Sequence, residues 1–338
     1  MAEILDDSGY VTAAFTGSGS ISAQFGFYRG FDSYNETSRP ETGSDIDGIL
    51  AKSIPWLQNH ADRSFFLFLH TYEPHEPYND DFFVTKEAIE ETDSIAYSTA
   101  KYDGDIRRAD WFLGEIVGAL RGLGLLEKTI LVVTSDHGED LDRRAAPGAP
   151  SPAHGHTLYD ELLRVPLIFF GPGIPAGNRI EFQVRSIDIL PTVLDLVGLR
   201  TRADFEGASL RGMLEGKDRE PRPAYSEATT YGTERESLRA DGYKYIHRIS
   251  YGQLADPMSW GLPLTPRHEL YDLENDSEER TNTSDDNPLK VQEFQDLMRT
   301  INPRRTGEGQ DPGSSPDSID LTQDSELMDE LRSLGYIQ

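Results

Sequence analysis

The segment VVTSDHGED, residues 132–140, changes abruptly from a β-branched apolar run to an acid, a histidine, a glycine and two more acids. Such an apolar run is typical of a strand that is buried on both faces. In open α/β sheets, binding residues gather just beyond the carboxyl ends of the strands. Asp136 and His137 are therefore candidate metal ligands, and the alternative interpretation of this pair is a charged surface loop.

Four apolar runs, including the one before Asp136, predict the strands of a sheet. They are VTAAF (11–15), SFFLFL (64–69), TILVVT (129–134) and VPLIFF (165–170). Amphipathic segments at 44–60, 93–120 and 187–199 have the apolar spacing of helices and lie between or after these strands. This alternation predicts an α/β fold with a mainly parallel central sheet flanked by helices.

The composition changes after residue 215, where the charged, proline-containing segment EGKDREPRP begins. The short strand patterns AYSEA, ESLRA, YKYIHR and HELYDL follow it and predict a small antiparallel α+β subdomain. Residues 302–320 are rich in Gly, Pro, Ser and Asp, which is typical of a flexible linker, and SELMDELRSLGYI predicts a terminal helix. We therefore expect an α/β domain over 1–215, a subdomain over 216–300, and a linker with a helix over 301–338.

The charge balance argues against nucleic acid as a partner. The chain has 59 acids and 32 bases, a formal net charge of -27, whereas phosphate binding needs clustered Lys and Arg. An anion site must draw its positive charge locally, from a metal, Arg or His. The absence of cysteine excludes disulfides, thiolate metal sites and Cys nucleophiles within this chain. No apolar run approaches the roughly 18 residues of a membrane span, the first residues lack a signal-peptide pattern, and the compartment stays open.

A second histidine segment, LFLHTYEPHEPY (67–78), follows the predicted strand at 64–69. It carries His70 and His75 in a loop that Pro74 and Pro77 restrict. Imidazoles held at a strand end could bind an anion. They could equally cap or pack the loop.

A third segment, SPAHGHTLYDELLRVPLIFF (151–170), carries His154 and His156. These two histidines are two residues apart, so both point the same way if the segment is extended. A histidine near a metal can bind an anionic oxygen or protonate a leaving group. The alternative is an ordinary loop, and the residues at 143–153 predict one that is mobile and exposed.

Taken in order, these motifs resemble the sulfatase family of the alkaline phosphatase superfamily. SDHGE followed by HGHTLYDELLRVPLIFFGPG resembles the metal- and anion-site region of the family, and FLHTYEPHEPY resembles its loop rich in His and Pro. RSIDILPTVLDLVGL resembles a recurrent helix, and DGYKYIHR and HELYDLENDSEERTN resemble the C-terminal subdomain. The resemblance runs over nearly the whole chain. It implies a hydrolase of sulfuric esters whose substrate is a small-molecule or carbohydrate sulfate ester.

The resemblance also implies roles for individual residues. Asp136 and His137 match the later pair of ligands of a divalent cation, which is usually Ca²⁺ in the family, with Mn²⁺ or Zn²⁺ as alternatives. His75 and His156 match the residues that bind the sulfate group. His70 is a weaker candidate beside them, and His154 has no firm counterpart.

The sequence departs from the family pattern at its beginning. Family nucleophiles are formylglycines made from the first residue of a Cys/Ser-x-Pro-x-Arg motif, and this chain has neither a Cys nor a Ser-x-Pro-x-Arg. The two early acidic metal ligands have no counterpart either, because Asp6 and Asp7 match a solvent-facing helix end. We therefore expect an N-terminally incomplete sulfatase, without activity as given. The alternatives are a phosphodiester or phosphonate ester hydrolase of the same superfamily, and a non-catalytic remnant or binding protein.

Overall fold

The computed structural model describes residues 1–37, 45–85, 95–141, 154–155, 157–200, 204–228, 234–249 and 267–302. The chain divides into two compact units, an N-terminal unit of Met1–Thr129 with Pro316–Gln338 and a C-terminal unit of Ile130–Ser315. The predicted terminal helix, nearly all of the linker before it and the predicted mobile loop lie outside the described residues. The domain boundaries near residues 215 and 300 stay predictions.

The N-terminal unit contains a three-stranded parallel sheet in the order β2-β1-β3. Its strands are β1 (Val11–Thr16), β2 (Ser33–Glu36) and β3 (Phe65–Leu69), and its helices are α1 (Ala2–Asp7), α2 (Ile46–Asn59) and α3 (Ile95–Gly122). Every residue of the central strand after Val11 is buried, which confirms the prediction of a strand covered on both faces.

The core of this unit joins one face of β1 to α2 and α3. Its buried members include Phe15, Ile49, Leu57, Phe112 and Ile116. In α3 the buried apolar residues recur at helical spacing, so a single stripe faces the core. Each fully buried large side chain contributes about 1.5–3 kcal/mol relative to an exposed one. The packing fixes the two helices against the sheet and so positions the loops at its carboxyl edge.

The C-terminal unit begins with two strands, β4 (Leu131–Thr134) and β5 (Leu167–Phe170), which pair antiparallel. The expectation for these two runs was parallel pairing. An apolar run does not encode strand direction, and parallel sheets often include one antiparallel strand. The expectation that these two strands are buried on both faces is also wrong, because Ile168 and Phe170 are exposed. The helices α4 (Asp160–Leu163), α5 (Ile189–Leu196) and α6 (Arg211–Leu214) belong to the same unit.

A four-stranded antiparallel sheet in the order β6-β7-β8-β9 confirms the predicted C-terminal subdomain. The strands are β6 (Ala224–Ala228), β7 (Arg235–Ala240), β8 (Tyr243–Arg248) and β9 (His268–Asp272). Asp241 and Gly242 both have positive φ and make the two-residue turn of the β7–β8 hairpin. The helix α7 (Pro288–Ile301), which sequence patterns did not single out, packs Phe294 and its neighbours on one face of this sheet.

Hydropathy along the helices bears on membrane insertion. Over the described stretches of the chain, none of the helices combines the length and the apolar character that crossing a bilayer requires.

Candidate active site

The loop after β3 carries His70 and His75 at the carboxyl edge of the parallel sheet. The His70 N–H donates to the Phe15 carbonyl at 3.1 Å and so extends the β1–β3 ladder by one residue. The Tyr72 ring stands edge-on to both imidazoles, with centroids 4.9 Å from His70 and 5.7 Å from His75. Tyr72 is therefore a rigid aromatic spacer between the two predicted anion-binding histidines.

Asp45, just before α2, anchors this loop from a second element. Its side chain is almost fully buried and accepts hydrogen bonds from the Thr71 hydroxyl and from the Tyr72 N–H, the latter at 3.1 Å. A Cβ on Gly17 would lie 2.1 Å from the Asp45 carboxylate, so only glycine allows this approach. Sequence reasoning missed Asp45 because its partners lie far along the chain.

The orientation of the His75 ring is fixed by its own neighbour. Its Nδ1–H donates to the Glu76 carbonyl at 2.6 Å, so any hydrogen bond to a ligand would use Nε2. On the same loop, buried Glu73 lies 3.6 Å from Arg108 of α3. Further along, Asp105 of α3 accepts the Asp80 N–H at 2.9 Å. The helix thus holds the loop at both ends.

In the C-terminal unit, Asp136 and His137 follow β4 directly. The His137 Nδ1–H donates to the Gly138 carbonyl at 2.7 Å, which leaves the lone pair on Nε2. That nitrogen lies 3.7 Å from an oxygen of Asp136, whose side chain is exposed. The Asp136 oxygen and the His137 Nε2 atom, both of which can bind a metal, face one small region. A hydrogen bond from the other imidazole nitrogen to a carbonyl is typical of metal-ligating histidines.

Gly138 lets this loop turn against α4. Its N–H donates to the Leu162 carbonyl at 2.8 Å, and the Glu139 N–H donates to Glu161 at 3.1 Å. A Cβ on Gly138 would lie 2.0 Å from the Glu161 carbonyl oxygen. The glycine in SDHGE is therefore required by backbone packing, which fixes where Asp136 and His137 stand.

His154 lies against this pair, although sequence reasoning gave it no firm role. Its ring stacks on His137 with centroids 4.2 Å apart, and its Nδ1 lies 3.4 Å from buried Glu139. Glu139 was missed as a site residue, and its place in SDHGE was the available signal. His156 lies outside the described residues. The site roles of His70, His75, Asp136 and His137 stay predictions.

The described residues supply only part of a cation's ligands. Among them, no group of three or more His, Cys, Asp or Glu side chains could hold a metal ion. Asp136 and His137 offer one oxygen and one nitrogen, whereas calcium takes about six to eight ligands. The two residues fit a divalent cation as a partial site.

A buried ionic cluster supports the segment that follows His156. Lys244 of β8 is fully buried and lies 2.8 Å from Asp160 and 2.9 Å from Glu279. Burial opposes ionisation of Asp160, but the charges of Lys244, Arg239 and Arg164 outweigh it and lower the Asp160 pKa. Burial raises the pKa of Glu279 in spite of Lys244. The cluster fastens α4 to the antiparallel sheet.

The structure is that of an α/β protein with a parallel sheet and an antiparallel C-terminal sheet. The family described as Sulfatase matches residues 1–199, more than half of the chain. This match assigns the protein to the alkaline phosphatase superfamily. The chain belongs to the Sulfatase family. A second match, to the C-terminal region described as N-sulphoglucosamine sulphohydrolase, covers residues 154–305.

Curated relatives agree with this assignment. A protein named Sulfatase from Formosa agariphila is 33% identical over 156 residues, which are 45% of this chain and 29% of that protein. Arylsulfatase K of Gallus gallus is 32% identical over 203 residues, 57% of this chain and 34% of the relative. The chain thus matches about a third of the length of these relatives.

Solved structures share the fold. BT4656, solved in complex with its substrate D-glucosamine-2-N,6-O-disulfate, superposes with a TM-score of 0.67 at 19% identity, over 92% of this chain and 83% of its own. A phosphonate monoester hydrolase from Silicibacter pomeroyi gives 0.66 at 19% identity, over 90% and 79% of the two chains.

Proposed function

We propose that this protein hydrolyses a sulfuric ester with the help of a divalent cation, for which Ca²⁺ is the first candidate. The observation that carries the proposal is the Sulfatase family match over residues 1–199. A sulfated saccharide is the proposed substrate, because the match over residues 154–305 is to an N-sulphoglucosamine sulphohydrolase region and BT4656 takes a sulfated glucosamine. Formylglycine is the nucleophile that family membership implies, although this chain has no Cys/Ser-x-Pro-x-Arg motif.

In this proposal, His75 binds the sulfate group through Nε2. The family resemblance assigns the same role to His156, and His70 is a weaker candidate. A sulfate ester is anionic, and further negative charge develops on the leaving oxygen as the S–O bond breaks. Donors that are already oriented stabilise this charge without reorganising. The His75 hydrogen bond to Glu76 and the Tyr72 ring support such an orientation.

Asp136 and His137 would hold the cation, and Glu139 with His154 would pack behind them. A divalent cation bound there supplies Lewis-acid stabilisation of a sulfate oxygen. The His137 bond to the Gly138 carbonyl supports this role, because it keeps the ring turned with Nε2 outward. Metal affinity should then depend on both side chains.

Calcium titration by calorimetry tests the cation site. Asp136→Asn removes the negative charge of one ligand and His137→Gln removes the imidazole nitrogen of the other, so each should weaken calcium binding by about tenfold or more. Asp296→Asn is the matched control, because Asp296 is an exposed acid of α7 paired with Arg299 at 2.6 Å. Equal calcium affinity in Asp136→Asn and the control would refute this part of the proposal.

Parallel assays on an aryl sulfate and on an aryl phosphonate test the reaction. Faster turnover of the sulfate, lost in His75→Gln, supports the proposal. His60→Gln is the control, since His60 bonds the Trp56 carbonyl at 2.8 Å within the α2 end. Faster turnover of the phosphonate favours the related hydrolase. Absence of turnover together with unaltered sulfate binding in His75→Gln favours a non-catalytic protein.

A further inference from the structure

Three arginines stand in a row across the antiparallel sheet, at the edge where β8 ends. Arg235 of β7 pairs directly with Arg248 of β8. The Arg248 N–H donates to the Arg267 carbonyl at 3.0 Å, so Arg267 lies opposite Arg248 on the other side. Directly paired residues have Cβ atoms about 4.5–5.5 Å apart and share a face of the sheet. The row thus brings three guanidinium groups to neighbouring positions of one sheet edge.

Burial is graded along this arginine row. Arg235 is 5% exposed, Arg248 is half-buried and Arg267 is exposed. An anion could therefore reach the buried end from the solvent side at Arg267. Like charges placed directly opposite each other destabilise a sheet, and the cost grows with burial.

Arg248 has a side-chain donor, its buried Nε, without an acceptor within the described residues. Arg235 and Arg267 make other interactions as well. The carboxylate of β9 that shares this face, Glu269, accepts the hydroxyls of Tyr159 at 2.8 Å and Tyr271 at 2.6 Å. A buried guanidinium N–H without an acceptor is costly, so the position calls for an external oxygen.

We infer that the arginine row Arg235–Arg248–Arg267 binds an oxyanion, a sulfate or carboxylate group, through residues that have no part in the proposed hydrolysis. The guanidinium group matches both oxyanions with two parallel N–H donors. This site goes beyond the proposed function. It depends on neither the cation nor His75, and it would hold whichever ester the protein hydrolyses.

The test measures thermal stability during titration with sodium sulfate or sodium acetate, against sodium chloride at equal ionic strength. The His75→Gln background removes binding at the histidine loop. We expect a saturable rise in Tm with at least one oxyanion, and the more effective one identifies the ligand class. Sulfate also stabilises proteins non-specifically, and this general effect is unsaturable and common to all variants.

Arg248→Gln should abolish the saturable rise, and Arg248→Lys, which keeps the charge but loses the fork, should weaken the apparent affinity about tenfold. Arg179→Gln is the matched control, because Arg179 is an exposed arginine paired with Glu181 at 3.0 Å. Should Arg248→Gln fail to fold, Arg248→Lys carries the test alone. The same oxyanion affinity in wild type and in Arg248→Lys, or no saturable rise in wild type, would overturn the inference.

Discussion

The Tyr72 hydroxyl donates to the Ser18 carbonyl at 2.9 Å, which ties the loop after β3 to the loop after β1. It also accepts the Ser20 N–H at 3.0 Å. Tyr72→Phe leaves both backbone groups without this partner. We expect the free energy of unfolding to fall by about 1–3 kcal/mol, the usual cost of unsatisfied buried groups. Urea denaturation measures this, and sulfate binding at His75 should weaken as the loop loosens.

Tyr28→Phe is the control for this change, because the Tyr28 side chain is 54% exposed. Its free energy of unfolding should stay within about 0.5 kcal/mol of wild type. If Tyr72→Phe proved as stable as Tyr28→Phe and bound sulfate equally well, Tyr72 would not organise the histidine loop.

Gly138→Ala should disrupt the packing of its loop, whereas Gly118→Ala should stabilise the protein. The added methyl group at position 138 would meet the Glu161 carbonyl oxygen at 2.0 Å, so the SDHGE loop must shift and calcium binding should be lost. Gly118 lies in α3 with open space around its Cβ position, so alanine there should stabilise by about 0.5–1 kcal/mol. Calorimetry and denaturation of the two variants check this. Normal calcium affinity in Gly138→Ala would disprove the packing argument.

How far the sequence predicts this molecule depends on how local each signal is. A few consecutive residues are enough to predict the strands β1 and β3 and the position of Asp136 at a strand end, because the hydrophobic pattern is local. The antiparallel pairing of β5 is not local. Nor is the role of Asp45, whose partner Tyr72 lies 27 residues away. Such contacts arise only when distant segments pack together.

Lys244 illustrates the same limit. In YKYIHR, alternation does not distinguish a buried lysine from an exposed one, because β8 is covered on both faces at Lys244, Tyr245 and Ile246. What keeps Lys244 inside are two carboxylates from other parts of the chain, Asp160 and Glu279. Family resemblance locates candidate site residues, whereas the supporting ionic cluster appears only in three dimensions.

The stability of the C-terminal subdomain should depend on pH through His268. Burial, with the charges of His247 and Arg267, lowers the pKa of His268 below its ordinary value of 6.5. Its Nδ1 lies 2.7 Å from the Tyr245 hydroxyl, and His247 beside it contacts Glu236 at 2.9 Å. As pH falls below about 6.5, the unfolded chain takes up this proton first, so stability decreases until the lowered folded pKa is passed.

His268→Gln should therefore flatten the loss of stability between neutral pH and pH 5. Urea denaturation at several pH values measures the free energy of unfolding. His60→Gln, in the other compact unit, should keep the wild-type pH slope. An unchanged slope in His268→Gln would assign the acid sensitivity to other groups.

Replacing Lys244 by methionine should destabilise the protein by about 3–5 kcal/mol at neutral pH, because a broken buried pair leaves uncompensated charge. Asp160 and Glu279 would then face each other without their shared cation, although Arg239 still lies 3.3 Å from Asp160. Since protonation relieves that repulsion, the deficit relative to wild type should shrink as pH falls toward the range where carboxylates titrate. Lys217→Met is the control, because Lys217 is 75% exposed and its pair with Glu215 is screened by water. A deficit in Lys244→Met that did not change with pH would mean that lost packing, rather than buried charge, dominates at this position.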